Sequence, residues 1–183
     1  MKVGIVCCEY PPGPHGGIGS LTQVIARGLV RRGHQVRVVG TYAQSYPAPD
    51  FEADQGVAVW RLRTPVARLG YLAARWQLYL TLSRWVASHD VDVIEVPDYE
   101  GMLGGFPRLG VPVVARLNGS ATYFARELGR TVRRGQRWLE RWTLARADAW
   151  CSASEYTLQA TRDLFPPPRV TRVIYNPVQN DSG

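Results

Sequence analysis

The sequence predicts an α/β fold with a mostly parallel sheet and helices on both of its faces. Two observations lead there. Short β-branched runs alternate along the chain with amphipathic helical stretches, and parallel strands need crossover connections of that kind. The first run, KVGIVCC, reaches the first helical stretch through EYPPGPHGGIGSLTQ, residues 9–23, which is far richer in glycine and proline than a plain turn requires. The chain has 183 residues, 45% of them hydrophobic, enough for one domain with a sizeable core.

Taken in order, Val3–Cys8 reads as a buried strand. Ile18–Arg32 follows as a helix with Leu21, Val24, Ile25 and Leu29 on one face, closed by Gly33. Gln35–Gly40 is a second strand, Tyr42–Gly56 a long polar loop, and Val57–Leu62 a third, alternating strand. Leu69–Ala87 has helical spacing, with Leu69, Leu72, Trp76, Tyr79, Leu80 and Val86 expected to pack inward. Val91–Val96, Val111–Leu117, Ala149–Cys151 and Val170–Tyr175 supply four more strands, and the Pro166–Pro168 run ends a helix that starts near Ser154. In open sheets of this kind ligands bind beyond the carboxyl ends of the strands. The glycine loop, Pro97–Glu100, Asn118–Ser120 and Ser152–Glu155 all fall at such ends, so four polar segments are expected on one edge.

Composition narrows the function classes. No run of eighteen apolar residues is present to span a bilayer, and no signal-peptide pattern opens the chain. Cys7, Cys8 and Cys151 lie in apolar contexts without ligand spacing, which suggests free thiols in a reducing cytoplasm. The net charge is +7, and Lys2 is the only lysine, so the positive charge is almost all arginine. That balance favours anionic partners.

Gly16 and Gly17 stand just before the first helical stretch. A helix N-terminus offers unpaired N–H groups and a positive dipole end, and glycine lets an anion approach the backbone closely. A G-x-G-x-x-G dinucleotide site competes with this reading. Gly17-Ile18-Gly19 begins that pattern, but Thr22 replaces the third glycine, the loop is too long, and the second strand ends without an acidic residue. A loop whose glycines serve only turning is the third possibility.

The succession KVGIVCCEYPPGPHGGIGSLTQVIARGLVRRGHQVRVVGT, VDVIEVPD, VPVVARLNGS, ADAWCSASEYT and VTRVIYNPV resembles the N-terminal half of glycosyltransferase family 4, from Lys2 to about Val178. The resemblance implies a Rossmann-like three-layer domain, the N-terminal half of a GT-B fold, from a retaining enzyme that transfers a sugar from a nucleotide-sugar donor to a hydroxyl acceptor. It implies no cofactor and no metal. Gly16 and Gly17 would face the donor diphosphate; Asn118, Gly119, Ser154 and Glu155 would contact donor or acceptor. Glu9, Tyr10, Asp98, Tyr99 and Glu100 would lie on the acceptor side.

Family members often carry histidine–glycine where this chain has Asn118-Gly119, so any role that needs an imidazolium lapses, although an amide still hydrogen-bonds. Asn118 as a turn former or helix cap remains an alternative, and so do plain surface turns at Asp98 and Glu9. The family's donor-binding half, with its pair of glutamates eight positions apart, is expected after residues 1–175, with 176–183 as the start of a linker. On that reading this chain alone is inactive. The alternatives are a non-catalytic sugar- or phosphate-binding module and a NAD-dependent dehydrogenase.

Arg130, Arg133, Arg134, Arg137 and Arg141 recur at helical spacing as one basic stripe, with Trp138, Leu139, Trp142 and Ala145 expected mostly on the packed side. An amphipathic surface helix explains the stripe. Attraction to an anionic membrane, or to a phosphate-linked lipid acceptor, is its functional counterpart, with peripheral attachment at the inner face of the membrane. No nucleic-acid-binding motif accompanies it, and none is expected as a partner.

Overall fold

The computed structural model describes residues 1–64, 66–67 and 69–177. Residues 178–183 of the expected linker lie outside the described residues; Asn176 and Pro177 belong to no helix or strand. The chain divides into two compact units, Met1–Leu78 with Asn176 and Pro177, and Tyr79–Tyr175.

The first unit contains β1 (Lys2–Val6), α1 (Gly17–Arg31), β2 (Gln35–Tyr42), β3 (Phe51–Asp54), β4 (Val57–Arg63) and the start of α2 (Gly70–Ala87). Its strands lie in the order β3-β4-β2-β1. β1 runs parallel to β2 with Val6 opposite Val39, and β2 parallel to β4 with Tyr42 opposite Arg63. Val3, Ile5, Val38, Val39, Val57 and Val59 fill the core. β-Branched side chains on strands buried on both faces explain the near-continuous apolar runs.

β3 lies inside the segment expected to be a loop. It pairs antiparallel with β4 through a two-residue turn, Gln55-Gly56, at φ 49° and 87°. Positive φ at both positions makes the right-twisted hairpin turn that favours a glycine second.

The second unit contains β5 (Val93–Pro97), a 3₁₀ turn (Tyr99–Gly101), β6 (Val113–Leu117), α3 (Ala121–Glu127), α4 (Arg134–Arg146), β7 (Ala149–Ser152), α5 (Glu155–Arg162) and β8 (Val170–Val173). The strands run in the order β5-β6-β7-β8, and all three pairings are parallel. The α/β class and the mostly parallel strands expected from the sequence are both present. α5 closes at Arg162, ahead of the proline run.

Three helices bury positions other than those expected. In α1 these are Gly19, Thr22 and Ala26, while Leu21, Val24, Ile25 and Leu29 are only half-buried. In α2 the buried positions are Ala74, Arg75, Leu78, Leu82 and Trp85, while Leu69, just before it, and Leu72 and Trp76 are exposed. Apolar residues surround this helix, so periodicity alone does not select its inward stripe. In α4 the buried residues are Glu140, Thr143 and Leu144. Trp138 is half exposed and Ala145 is exposed, so the outer face carries tryptophan beside Arg134, Arg137 and Arg141; of the expected stripe, Arg133 is only the N-cap and Arg130 lies before the helix.

Candidate functional site

The loop after β1 is built from beneath by a buried cation. Arg61 on β4 is fully buried, and its guanidinium donates to the carbonyls of Pro49 (3.0 Å) and Pro11 (2.7 Å) and to Glu52 Oε1 (2.9 Å). It also lies over the rings of Tyr42 and Tyr46, 5.6 and 6.0 Å from their centroids. Tyr46 donates its hydroxyl to the Tyr10 carbonyl, and the Tyr10 amide donates to the Tyr42 hydroxyl. Arg61, Tyr42 and Tyr46 all reach the backbone of residues 10–11, so β4 and the end of β2 fix the start of the glycine loop.

A second network ties that loop to α1. The Tyr10 hydroxyl donates to Asp54 Oδ2 at 2.6 Å, and Arg27 of α1 pairs with both oxygens of the same carboxylate. Burial pulls the Asp54 carboxyl upward, but the hydrogen bonds from Arg27 and Tyr10 hold it below its usual range. Tyr10, expected on the acceptor side, is fully buried and presents no ring to a sugar. None of Arg27, Asp54 and Arg61 was singled out by sequence reasoning. Arg61 did leave a signal: it falls on the inward phase of β4, after Val57 and Val59.

Above these struts lies the N-terminus of α1. Gly16 is its N-cap in extended conformation, and no acidic residue occupies the first turn. Glu9 fills that role from outside the helix, its Oε1 accepting from the Gly19 amide at 2.8 Å. Among the described residues the amides of Gly17 and Ile18 have no acceptor. The glycines differ in what they permit. A methyl on Gly19 would overlap the Glu9 carbonyl, one on Gly16 would sit 3.3 Å from Glu9 Oε2, and one on Gly17 would meet nothing within 4 Å. Gly19 is therefore required by packing, and Gly17 by no contact among the described residues.

In the second unit Asp98 follows β5. It is fully buried, and its oxygens accept from the amides of Asn118 (3.0 Å) and Gly119 (3.1 Å), joining the ends of β5 and β6. Burial pushes its carboxyl up to about 7, against the two amide donors, which pull it down. Like Tyr10, it offers no side chain to a ligand. Tyr99 is partly exposed, and Glu100, half-buried, takes φ 60° in the 3₁₀ turn. Asn118 is half-buried, and among the described residues its carboxamide has no hydrogen-bond partner. It does not cap α3; Ser120 does, accepting from the Tyr123 amide. Glu140 of α4, fully buried, caps the same helix through the amides of Ala121 and Thr122. Beyond β7, Ser154 caps α5 through the Thr157 amide, and Glu155 is exposed in the first turn.

Chemically, the first unit offers free amides at a helix N-terminus beside one carboxylate. The second offers a free carboxamide and exposed aromatic surface at the ends of parallel strands. Among the described residues no group of three or more His, Cys, Asp or Glu could hold a metal ion.

Comparison with known proteins agrees with this architecture. The family model described as Glycosyltransferase Family 4 matches residues 15–182. An uncharacterised glycosyltransferase of Methanocaldococcus jannaschii is 36% identical over 80 residues, which is 44% of this chain and 19% of that protein. Among solved structures, sucrose-phosphate synthase of Thermosynechococcus elongatus superposes with a TM-score of 0.69 at 14% identity, covering 94% of this chain and 47% of that one. A shortened form of that enzyme gives 0.62 at 13% identity and covers 98% and 91% of the two chains. A UGT transferase of Siraitia grosvenorii, solved with UDP, gives 0.50 at 14% identity over 95% of this chain and 47% of that one. At such identities the structures share the fold, Rossmann-like α/β, and the chain spans only part of its relatives. The family model covers nearly all of the sequence, and the chain belongs to glycosyltransferase family 4.

Proposed function

We propose that the protein carrying this chain transfers a sugar, with retention, from a nucleotide-sugar donor to a hydroxyl acceptor, and that this chain is its N-terminal, acceptor-side half. The acceptor oxygen bonds the sugar's anomeric carbon as the bond to the nucleoside diphosphate breaks, and the hydroxyl proton leaves with the diphosphate. The observation that carries the reading is the α1 N-terminus in a family 4 chain: two free amides, and a glycine at position 17 that no internal contact demands. Gly16 and Gly17 would receive the donor phosphates, and fixed N–H dipoles would stabilise charge on the leaving diphosphate. Asn118, Gly119 and Glu155 would contact donor or acceptor, and Glu9, Tyr99 and Glu100 the acceptor. A second Rossmann-like half would hold the remainder of the donor, so that the chain by itself is inactive. No metal is assigned a step, and a cytoplasmic site of action fits the donor.

The test is a screen of nucleotide-sugar hydrolysis by the full-length protein and its Gly17→Val variant. Turnover of at least one donor, reduced about 100-fold or more in the variant with an unchanged melting temperature, is expected. No hydrolysis of any donor would return the chain to a binding module.

A further inference from the structure

A groove of about 420 Å³ opens between α3 and the first turn of α4, with Tyr99 at one wall. Its floor is apolar and exposed. Phe124 is 45% exposed and Leu128 59%, one helical turn apart on the same side of a short helix. Exposed apolar surface gathered in a concavity, with a few polar groups at its rim, is the usual form of a ligand site. The rim here has one sign of charge. Arg130 and Arg133 line the groove together with Gln136 and no carboxylate, and among the described residues neither arginine pairs with an acid.

The groove also starts at the reactive edge. A methyl on Gly119, at φ 103°, would sit 2.8 Å from the Phe124 ring, so the floor abuts the turn that carries the free Asn118 carboxamide. Why a side chain at 119 is excluded follows: the ring of Phe124 occupies its place, and the positive φ disfavours it again.

An apolar floor, a cationic rim without internal neutralisation, and a start at the carboxyl end of β6 describe one ligand chemistry. We infer that this groove holds the acceptor, and that the acceptor is a single amphiphile bearing a phosphate or similar anion beside an apolar chain. The inference rests on the transferase reading for the word acceptor; the binding itself does not. A sugar alone would leave Phe124 and Leu128 in water. A neutral lipid would leave two unneutralised arginines. A bilayer surface would lie on the convex flank of α4 and leave a concavity of this size unfilled.

The experiment is calorimetric titration of the full-length protein with dodecyl phosphate, dodecyl maltoside and inorganic phosphate, each below its aggregation limit. Dodecyl phosphate is expected to bind at least tenfold more tightly than either of the others. The Arg130→Gln/Arg133→Gln variant should bring it to the level of dodecyl maltoside, and Phe124→Ser/Leu128→Ser to that of inorganic phosphate. Both pairs are exposed, and an unchanged melting temperature verifies the fold. Equal affinity for the neutral and the phosphorylated chain, or an arginine variant that binds as the parent does, would overturn the assignment. So would binding to phosphatidylglycerol vesicles with none to monomeric dodecyl phosphate. Nucleotide-sugar hydrolysis, measured separately, decides the transferase reading, so the two failures are distinguishable.

Discussion

Glu9 sits where two demands meet. Its carboxylate neutralises the positive end of α1 through the Gly19 amide, yet its other oxygen stands 3.3 Å from where a methyl on Gly16 would lie, next in sequence to the amides proposed for phosphate. A like charge beside a phosphate opposes binding. Glu9→Gln keeps an acceptor oxygen for Gly19 and removes the charge. Nucleoside diphosphate affinity should rise roughly tenfold, about 1.4 kcal/mol, while transfer to the acceptor falls. Isothermal titration and a coupled assay would show both; an unchanged affinity would place Glu9 away from the phosphate. Asp98 makes a different test. Its carboxyl is raised from 3.8 to about 7 in the fold, so the native state holds a proton in that window that the unfolded chain has lost. Stability from this group is therefore greatest at acid pH, declines as pH rises through the window, and levels off above it. Denaturant unfolding at pH 5 and pH 8 should show the decline in the parent and a smaller one in Asp98→Asn.

Elements were legible where one force dominates. The parallel strands were visible because β-branched runs admit little else, and α1 because its helical spacing is sustained up to Gly33, although small residues, Gly19, Thr22 and Ala26, make its buried line. β3 was hidden because Phe51–Asp54 is four residues long with two acids; only the Gln55-Gly56 turn announced it. The faces of α2 and α4 were misassigned for a shared reason: several apolar residues compete for the inward position, and tertiary packing chooses among them. In α4 it chose a glutamate, Glu140, because the exposed amides of α3 needed an acceptor. Of the candidate site, the glycine loop was readable as a local pattern. Its support was not, because Arg61 reaches Tyr10 across 51 positions. Replacing Arg61 by Met should cost about 3–5 kcal/mol, since it leaves Glu52 unpaired and the Pro11 and Pro49 carbonyls without donors. Thermal and urea unfolding would measure it, and an effect below about 1 kcal/mol would contradict the role given to this residue.

At the scale of the molecule, the net charge of +7 is unevenly placed. Arg130, Arg133, Arg134, Arg137 and Arg141 are exposed, and among the described residues none meets a carboxylate. Trp138 lies among them, 50% exposed and 5.0 Å from Trp142 between ring centroids. No helix of the described residues is long and apolar enough to cross a membrane. A tryptophan and several arginines on one flank suit contact with an anionic surface, each cation contributing about 1 kcal/mol within a Debye length. Arg134, Arg137 and Arg141 changed together to glutamine should lower binding to anionic vesicles by roughly 100-fold, about 3 kcal/mol. Co-sedimentation at low and high salt would measure it, and equal retention by neutral vesicles would contradict the electrostatic account.

The strut from Arg61 to the backbone at Tyr10 and Pro11 has a consequence in time. A ribosome adds roughly 5–20 residues per second. The loop after β1 is made first, but its buried cation arrives 51 residues later, so several seconds pass before the strut can form. Until β4 is released, the loop has its glycines and prolines without the guanidinium that fixes them. The geometry at the end of the first strand is therefore acquired only after β4 is made, although its residues precede β4 by some fifty positions.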